Sequence, residues 1–191
     1  MSRIYSVGLD SIQENLTKAI RFINTDHAYI HEGIAFKSKL FVNSLLRTAT
    51  ESYSLVTGDK YIHLKNLLLV SVGASIRVDI IRGTETSPLV LDSAGDAATE
   101  LTGPNNVNDN SENVSEVEIK KTPTYVSSQT GVVWDSILAP GSSTNQFQSV
   151  SDISFGENFE YVLKPNTPYV IKFTNVTTGD DATDVSLSMF W

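Results

Sequence analysis

The hydrophobic residues of this chain change their spacing once, across residues 26–33, and this change limits the fold more than any other feature. Before it, apolar residues recur at steps of three and four, which is typical of one face of a helix. After it, they alternate with polar residues, which is typical of a strand with one buried face. The sequence therefore predicts an N-terminal helical arm with its hinge, residues 1–33, followed by a β-sandwich domain, residues 34–191.

The arm carries one apolar stripe on an otherwise polar helix. Ser11 followed by Glu14 fits a capping box at its start, and basic residues near its end suit the helix macrodipole. Two positions for the stripe stay open: it covers the chain's own β core, or it lies on another subunit. In the second case the partner-binding residues are Leu9, Ile12, Leu16, Ile20 and Ile23.

The region after the arm predicts a series of short strands separated by turns. Alternation from Ile34 to Val42 predicts a half-buried first strand, and the apolar run within residues 61–71 predicts one central strand. The last strand, 185–191, is predicted to form a hairpin with the strand at 169–174. Residues 88–113, rich in Asn, Asp, Gly and Thr, predict a long inserted loop. Because no helical pattern follows residue 24, we expect an all-β fold, an antiparallel β-sandwich or jelly-roll-like domain.

Charge and composition exclude several classes of protein. Residues 1–82 carry 10 Lys/Arg against 7 Asp/Glu, a balance of +3, and residues 83–191 carry 4 against 15, a balance of −11, which together give the net charge of −8. The acidic second half argues against nucleic acid as a partner. The absence of cysteine excludes disulfides, thiol nucleophiles and Cys-ligated zinc. No secretory signal opens the sequence and no apolar run could span a bilayer, so we expect no membrane partner.

The junction between arm and domain holds two of the three histidines. His27 and His31 beside Glu32 suggest a metal site, as in metal-dependent enzymes of the double-stranded β-helix type. In extended chain, however, residues four apart are about 13 Å apart, too far to share an ion. We therefore predict a hinge formed by His27, His31, Glu32 and Gly33, with no metal, no cofactor and no catalytic residue, and keep the metal enzyme as an alternative.

The aromatic residues raise a second alternative, a carbohydrate-binding adhesion or receptor-binding module. Trp134 and Trp191, with seven tyrosines, could stack on sugar rings. Their alternation with small polar residues is more typical of packing inside a β domain.

Two short motifs and the layout of the chain resemble a known group of proteins. The sequence Ile30-His31-Glu32-Gly33 after an N-terminal helix, and residues 163–169 before a strand ending in Phe190-Trp191, are similar to small accessory virion proteins of tailed bacteriophages. These are head decoration and head-fibre-like proteins. The resemblance implies a structural role in the virion, assembly in the host cytoplasm, homo-oligomerisation and a major capsid or other virion protein as partner, with no catalytic residues to carry over.

Overall fold

The computed structural model describes residues 29–97, 102–141, 148–154, 160–177 and 182–191. The predicted arm residues, from Leu9 to Ile23, lie outside these ranges. The described residues are nearly all β, which confirms the predicted fold class. Their strands are β1 Phe36–Leu45, β2 Thr50–Val56, β3 Ile62–Leu64, β4 Asn66–Val72, β5 Ile76–Arg82, β6 Leu89–Ser93, β7 Thr102–Asn106, β8 Glu118–Lys121, β9 Thr124–Thr130, β10 Val132–Ala139, β11 Gln148–Ser154, β12 Tyr161–Leu163, β13 Pro168–Asn175 and β14 Thr183–Phe190.

Two antiparallel sheets of five strands form the sandwich. Sheet A has the order β11-β4-β14-β1-β7, and sheet B has the order β10-β5-β13-β2-β8. Eight of these strands form nested pairs, in which the first strand pairs with the last, the second with the last but one, and so on. The pairs are β1 with β14, β2 with β13, β4 with β11, and β5 with β10. Nested pairs divided between two sheets are the arrangement of a jelly roll.

One apolar core fills the space between the sheets. Inward-facing residues of β1, β4 and β14 meet those of β2, β5 and β13 in a single cluster. Tyr53 and Phe173 are fully buried and contact edge to face, with ring centroids 5.9 Å apart. The Tyr53 hydroxyl donates to the main-chain oxygen of Phe41 at 2.7 Å. Because Tyr53 lies in sheet B and Phe41 in sheet A, this hydrogen bond also joins the two sheets.

Residues 83–131, between β5 and β10, form an insertion that adds to both sheets. Its strands β7 and β8 extend sheet A and sheet B by one strand each. Its other two strands pair as a ribbon, β6 with β9, which contacts β13 on the outer face of sheet B. The stretch predicted as a loop, 88–113, thus contains β6 and β7. The sequence of β6 gave no sign of a strand because only its first residue, Leu89, is buried.

Two predicted strand arrangements are wrong. The apolar run 61–71 is two strands, because the chain leaves one sheet at Lys65, whose amide donates to the main-chain oxygen of Phe190 at 2.9 Å. The predicted hairpin of the last two strands does not form: β13 lies in sheet B and β14 in sheet A. Alternation shows that a strand has a buried face, but it does not say which sheet the strand joins.

The first strand shows the predicted alternation except at its start. Phe36, Ser38, Leu40 and Val42 are buried, as expected. Ile34 was predicted to face inward with them, yet it is 48% exposed, because it belongs to the helical junction that precedes β1.

The part of the outer face of sheet B that the ribbon covers gives a stability prediction. Val170 points away from the main core, opposite Tyr169 and Ile171, yet it is 0% exposed because the β6–β9 ribbon covers it. We expect Val170→Thr, which buries a hydroxyl in place of a methyl group, to lower the free energy of unfolding by about 1 to 3 kcal/mol. Denaturant unfolding measures the effect.

Val133→Thr is the matched control, since Val133 is 56% exposed on β10. Its effect should stay within about 0.5 kcal/mol. Equal effects of the two substitutions would show that the ribbon does not keep Val170 from solvent.

Candidate functional site: the clamped junction

Residues 29–34 form a capped helix end where the arm meets the domain. Residues 29–31 are helical. The amide of Ile34 donates to the oxygen of Tyr29, and the amide of Gly33 donates to the oxygen of Ile30, both at 3.0 Å. Gly33 has a positive φ of 69°. This pair of hydrogen bonds around a left-handed glycine is a Schellman motif, the usual helix C-terminus.

Three asparagines of the insertion hold the carbonyl groups at this helix end, and we call Asn106, Asn108 and Asn113 the asparagine clamp. The Asn106 side-chain amide donates to the oxygen of Gly33 at 2.6 Å, and Asn108 donates to the oxygen of His31 at 3.1 Å. Asn113 donates to the oxygens of Glu32 and Gly33 at 3.4 and 3.2 Å. The last carbonyls of a helix have no partner within the helix, so the clamp satisfies them and ties the junction to the domain.

The clamp is itself ordered by turns within the insertion. The Asn106 side-chain oxygen accepts from the amide of Asn108 at 2.8 Å, and the Asn108 side-chain oxygen accepts from the amide of Asn110 at 3.0 Å. Asparagine favours such local bonds to the backbone. The run of asparagines at 105–113 was the signal in the sequence, but it does not say which backbone they would hold.

Gly33 fits a space that no other residue could occupy without displacement. It is buried, and a Cβ built on it would lie 2.0 Å from the Ser111 hydroxyl and 2.4 Å from the Ser111 Cβ. Its positive φ also disfavours any residue with a side chain. Both constraints come from the fold, and together they place the start of the domain against the insertion.

Residues 31–33 of the predicted hinge lie in the described part of the chain, and His31 ends a helical turn there, so the extended chain expected for this segment is wrong. His31 and Glu32 are exposed and Gly33 is buried in the clamp, while His27 lies outside the described residues. Across the described ranges, no group of three or more His, Cys, Asp or Glu residues could hold a metal ion. The third histidine, His63, lies on β3, and its Nδ1 is 2.7 Å from a carboxylate oxygen of Glu160. The clamp supplies amide donors to main-chain carbonyls, so its chemistry is that of holding and positioning the chain.

Trp134 is engaged in packing. The Arg82 guanidinium lies over its ring, 4.4 Å from the centroid, and Tyr161 and Tyr169 pack against it at 5.0 and 6.2 Å. The Tyr161 hydroxyl donates a hydrogen bond to Asp135. The pKa of Tyr161 is raised mainly because the side chain is partly buried, and to a smaller extent by this hydrogen bond. The cluster joins β12 to β10 and leaves one face of the indole covered by a cation.

Trp191 also contacts the core. It stacks on Phe36 with ring centroids 6.4 Å apart, and its backbone exchanges hydrogen bonds with Phe36 at 2.7 and 3.1 Å. Its indole nitrogen is buried without a hydrogen-bond partner. The ring therefore serves packing where β1 begins, beside the clamped junction.

The one cluster of described carboxylates with shifted pKa values lies on the surface. Glu116 accepts a hydrogen bond from Lys60 at 2.7 Å, which lowers the pKa of Glu116 and raises that of Lys60. A hydrogen bond with Glu116 and the charge of that carboxylate raise the pKa of Asp59. All three residues are exposed, so water and salt screen their interactions. The cluster links the turn after β2 to the segment before β8.

No protein-family model matches the chain, and neither the curated proteins nor the solved structures contain a match to it. No helix in the described part of the chain is long and apolar enough to cross a membrane.

The fit of Gly33 against Ser111 can be tested with a double-mutant cycle. Gly33→Ala should destabilise the junction by at least about 1 kcal/mol, the cost of a left-handed backbone for a residue with a side chain. The steric contact with Ser111 adds to this cost. Ser111→Gly removes both atoms that the new Cβ would meet, so the double variant should lose less stability than the sum of the two single variants. Hydrogen exchange at the amides of Gly33 and Ile34 is the measurement. Additive effects would show that the two residues do not press on each other.

The asparagine clamp gives a second prediction. Asn106→Ala removes the shortest donor to the Gly33 carbonyl and the acceptor of the Asn108 amide. We expect a loss of about 0.5 to 1.5 kcal/mol of stability for each of these two hydrogen bonds, measured by denaturant unfolding. Asn105→Ala is the control because Asn105 is exposed and lies on the same strand. A loss as large for Asn105→Ala would assign the effect to strand β7 and not to the clamp.

Proposed function

We propose that this protein is a non-enzymatic structural component of a bacteriophage particle, a jelly-roll domain attached to a capsid or other virion protein through its N-terminal arm. Its role would be to decorate or stabilise the shell, as a homo-oligomer. The observation that carries the proposal is the clamped junction. It fixes the end of the arm to the domain at several points and is built from groups that hold and do not react.

The fold supports the proposal without deciding it. Double-sheet jelly rolls occur in viral capsid proteins and also in lectins and enzymes. The junction supports an attachment role more specifically than the fold does, because three side chains and a Schellman motif all form hydrogen bonds at one helix end. A domain displayed on a particle has to transmit any pull on it to its attachment segment, and a firm junction at that point serves this need.

The arm could supply enough binding energy for attachment. Burying four of its five large aliphatic side chains would contribute roughly 6 to 10 kcal/mol before the entropic cost of association. A symmetric shell presents the same binding site many times, so an oligomer would gain further affinity through avidity.

Particle binding by full-length variants tests the proposal. Leu16→Asp with Ile20→Asp places two charges on the apolar stripe, and we expect binding to virions or empty shells to fall to background. Lys18→Asp changes the opposite face of the same helix, so its binding should match that of the unchanged protein. Co-sedimentation with purified particles measures both variants.

Removal of residues 1–24 should likewise leave a folded β domain that no longer binds particles, with folding followed by near-ultraviolet circular dichroism. Mass spectrometry of purified virions supplies the decisive negative result: a chain absent from the particles that its genome produces would overturn the proposal.

A further inference from the structure

The outer face of sheet A carries several large apolar side chains. Leu68, Val70 and Val72 of β4 point outward, since Leu67, Leu69 and Ser71 between them are buried. Val72 is 41% exposed and Phe190 on β14 is 39% exposed, while Leu68, Val70 and Phe41 are half-buried. On the outer face of sheet B, by contrast, the β6–β9 ribbon covers the region around Val170.

These residues form a trough along β14. In register, Ser186 lies between Phe41 on β1 and Val70 on β4, and Ser188 lies between Lys39 and Leu68. The floor along β14 is thus made of Ser186 and Ser188 and is bounded by Phe190 at the end near Lys65, and the walls are made of larger side chains. Because β1 and β4 are two strand spacings apart, the walls are about 10 Å apart, which is close to the diameter of a helix with its side chains.

The described chain begins at one end of this trough. Tyr29 lies against Lys65, whose ammonium is 5.4 Å from the ring centroid, and Lys65 directly precedes β4. The arm therefore meets the domain at the end of sheet A where β4 starts and β14 stops. Its predicted helical stripe from Leu9 to Ile23 would be about 21 Å long, and the seven residues of β4 span about 20 Å.

We propose that, in the free protein, the arm of the same chain lies in this trough, with the stripe of Leu9, Ile12, Leu16, Ile20 and Ile23 on the outer face of sheet A. The direction follows from where the arm meets the domain. Ile20 and Ile23 lie near Leu68, and Leu9 and Ile12 lie near Val72. The charged residues of the helix, among them Glu14 and Lys18, then face solvent. In the proposed function the same stripe binds the shell, so the trough holds the arm before attachment.

Disulfide cross-linking tests the position of the arm, because the chain has no cysteine of its own. Two matched pairs follow from the direction of the helix: Ile20→Cys with Leu68→Cys, and Ile12→Cys with Val72→Cys. The mismatched pair, Ile20→Cys with Val72→Cys, uses two of the same positions. Ile12 and Ile20 are about 12 Å apart along a helix, and Leu68 and Val72 are about 13 Å apart along a strand.

Oxidation of the purified full-length variants, without particles, should give an internally cross-linked monomer for both matched pairs. We expect about tenfold less for the mismatched pair, because a disulfide needs Cα atoms within about 7 Å. Non-reducing electrophoresis and intact mass measure the products. The two matched pairs are independent, so a variant that fails to fold leaves the other pair to decide.

Three results would overturn the inference. Disulfide-linked dimers from the matched pairs would place the arm of a second copy in the trough. Equal yields from matched and mismatched pairs would show an arm without a fixed position, and no cross-link in any folded variant would place the arm elsewhere. Because no particle is present, these results do not depend on whether the protein attaches to virions.

Discussion

The apolar layer between the two sheets is the interaction on which the rest of the structure depends. Inward-facing side chains of strands from both sheets meet there, and the nested strand pairs are divided between the two sheets. The pair of Tyr53 and Phe173 lies within it, and the Tyr53 hydroxyl binds the backbone of the facing sheet. Displacing one strand would expose part of the layer to water, so the strands hold each other in register.

With that core in place, the insertion between β5 and β10 is free to serve other purposes. It covers the outer face of sheet B around Val170, adds a strand to each sheet and places three asparagines at the helix end at residues 29–34. Its polar sequence suits these tasks, because asparagine side chains can satisfy backbone carbonyls that a helix leaves unpaired. The insertion, whose sequence predicts the least regular structure in the domain, is therefore the part that joins the arm to the domain.

The asymmetry of the two sheets links the fold to the proposed role. The ribbon covers one outer face around Val170, and the other outer face presents an apolar trough beginning where the arm arrives. A single stripe of aliphatic residues on the arm would fit the trough in the free protein and a shell protein in the particle. Exchange between two such surfaces needs only comparable binding energies, since the arm leaves one apolar contact as it gains another.

The sequence by itself determined the local features of this protein. The change of period at residues 26–33, the buried faces of β1 and β5, and the all-β class follow from short-range spacing, because burial of alternate residues is a property of a strand and one solvent-free face. The tertiary structure decided the rest. Contacts between residues far apart in the chain decide which sheet β13 and β14 join and which carbonyls Asn106 and Asn108 bind. They also explain why Val170 is buried on the side that alternation assigns to solvent. Such contacts are chosen by the packing of the whole core, and no local pattern records that choice.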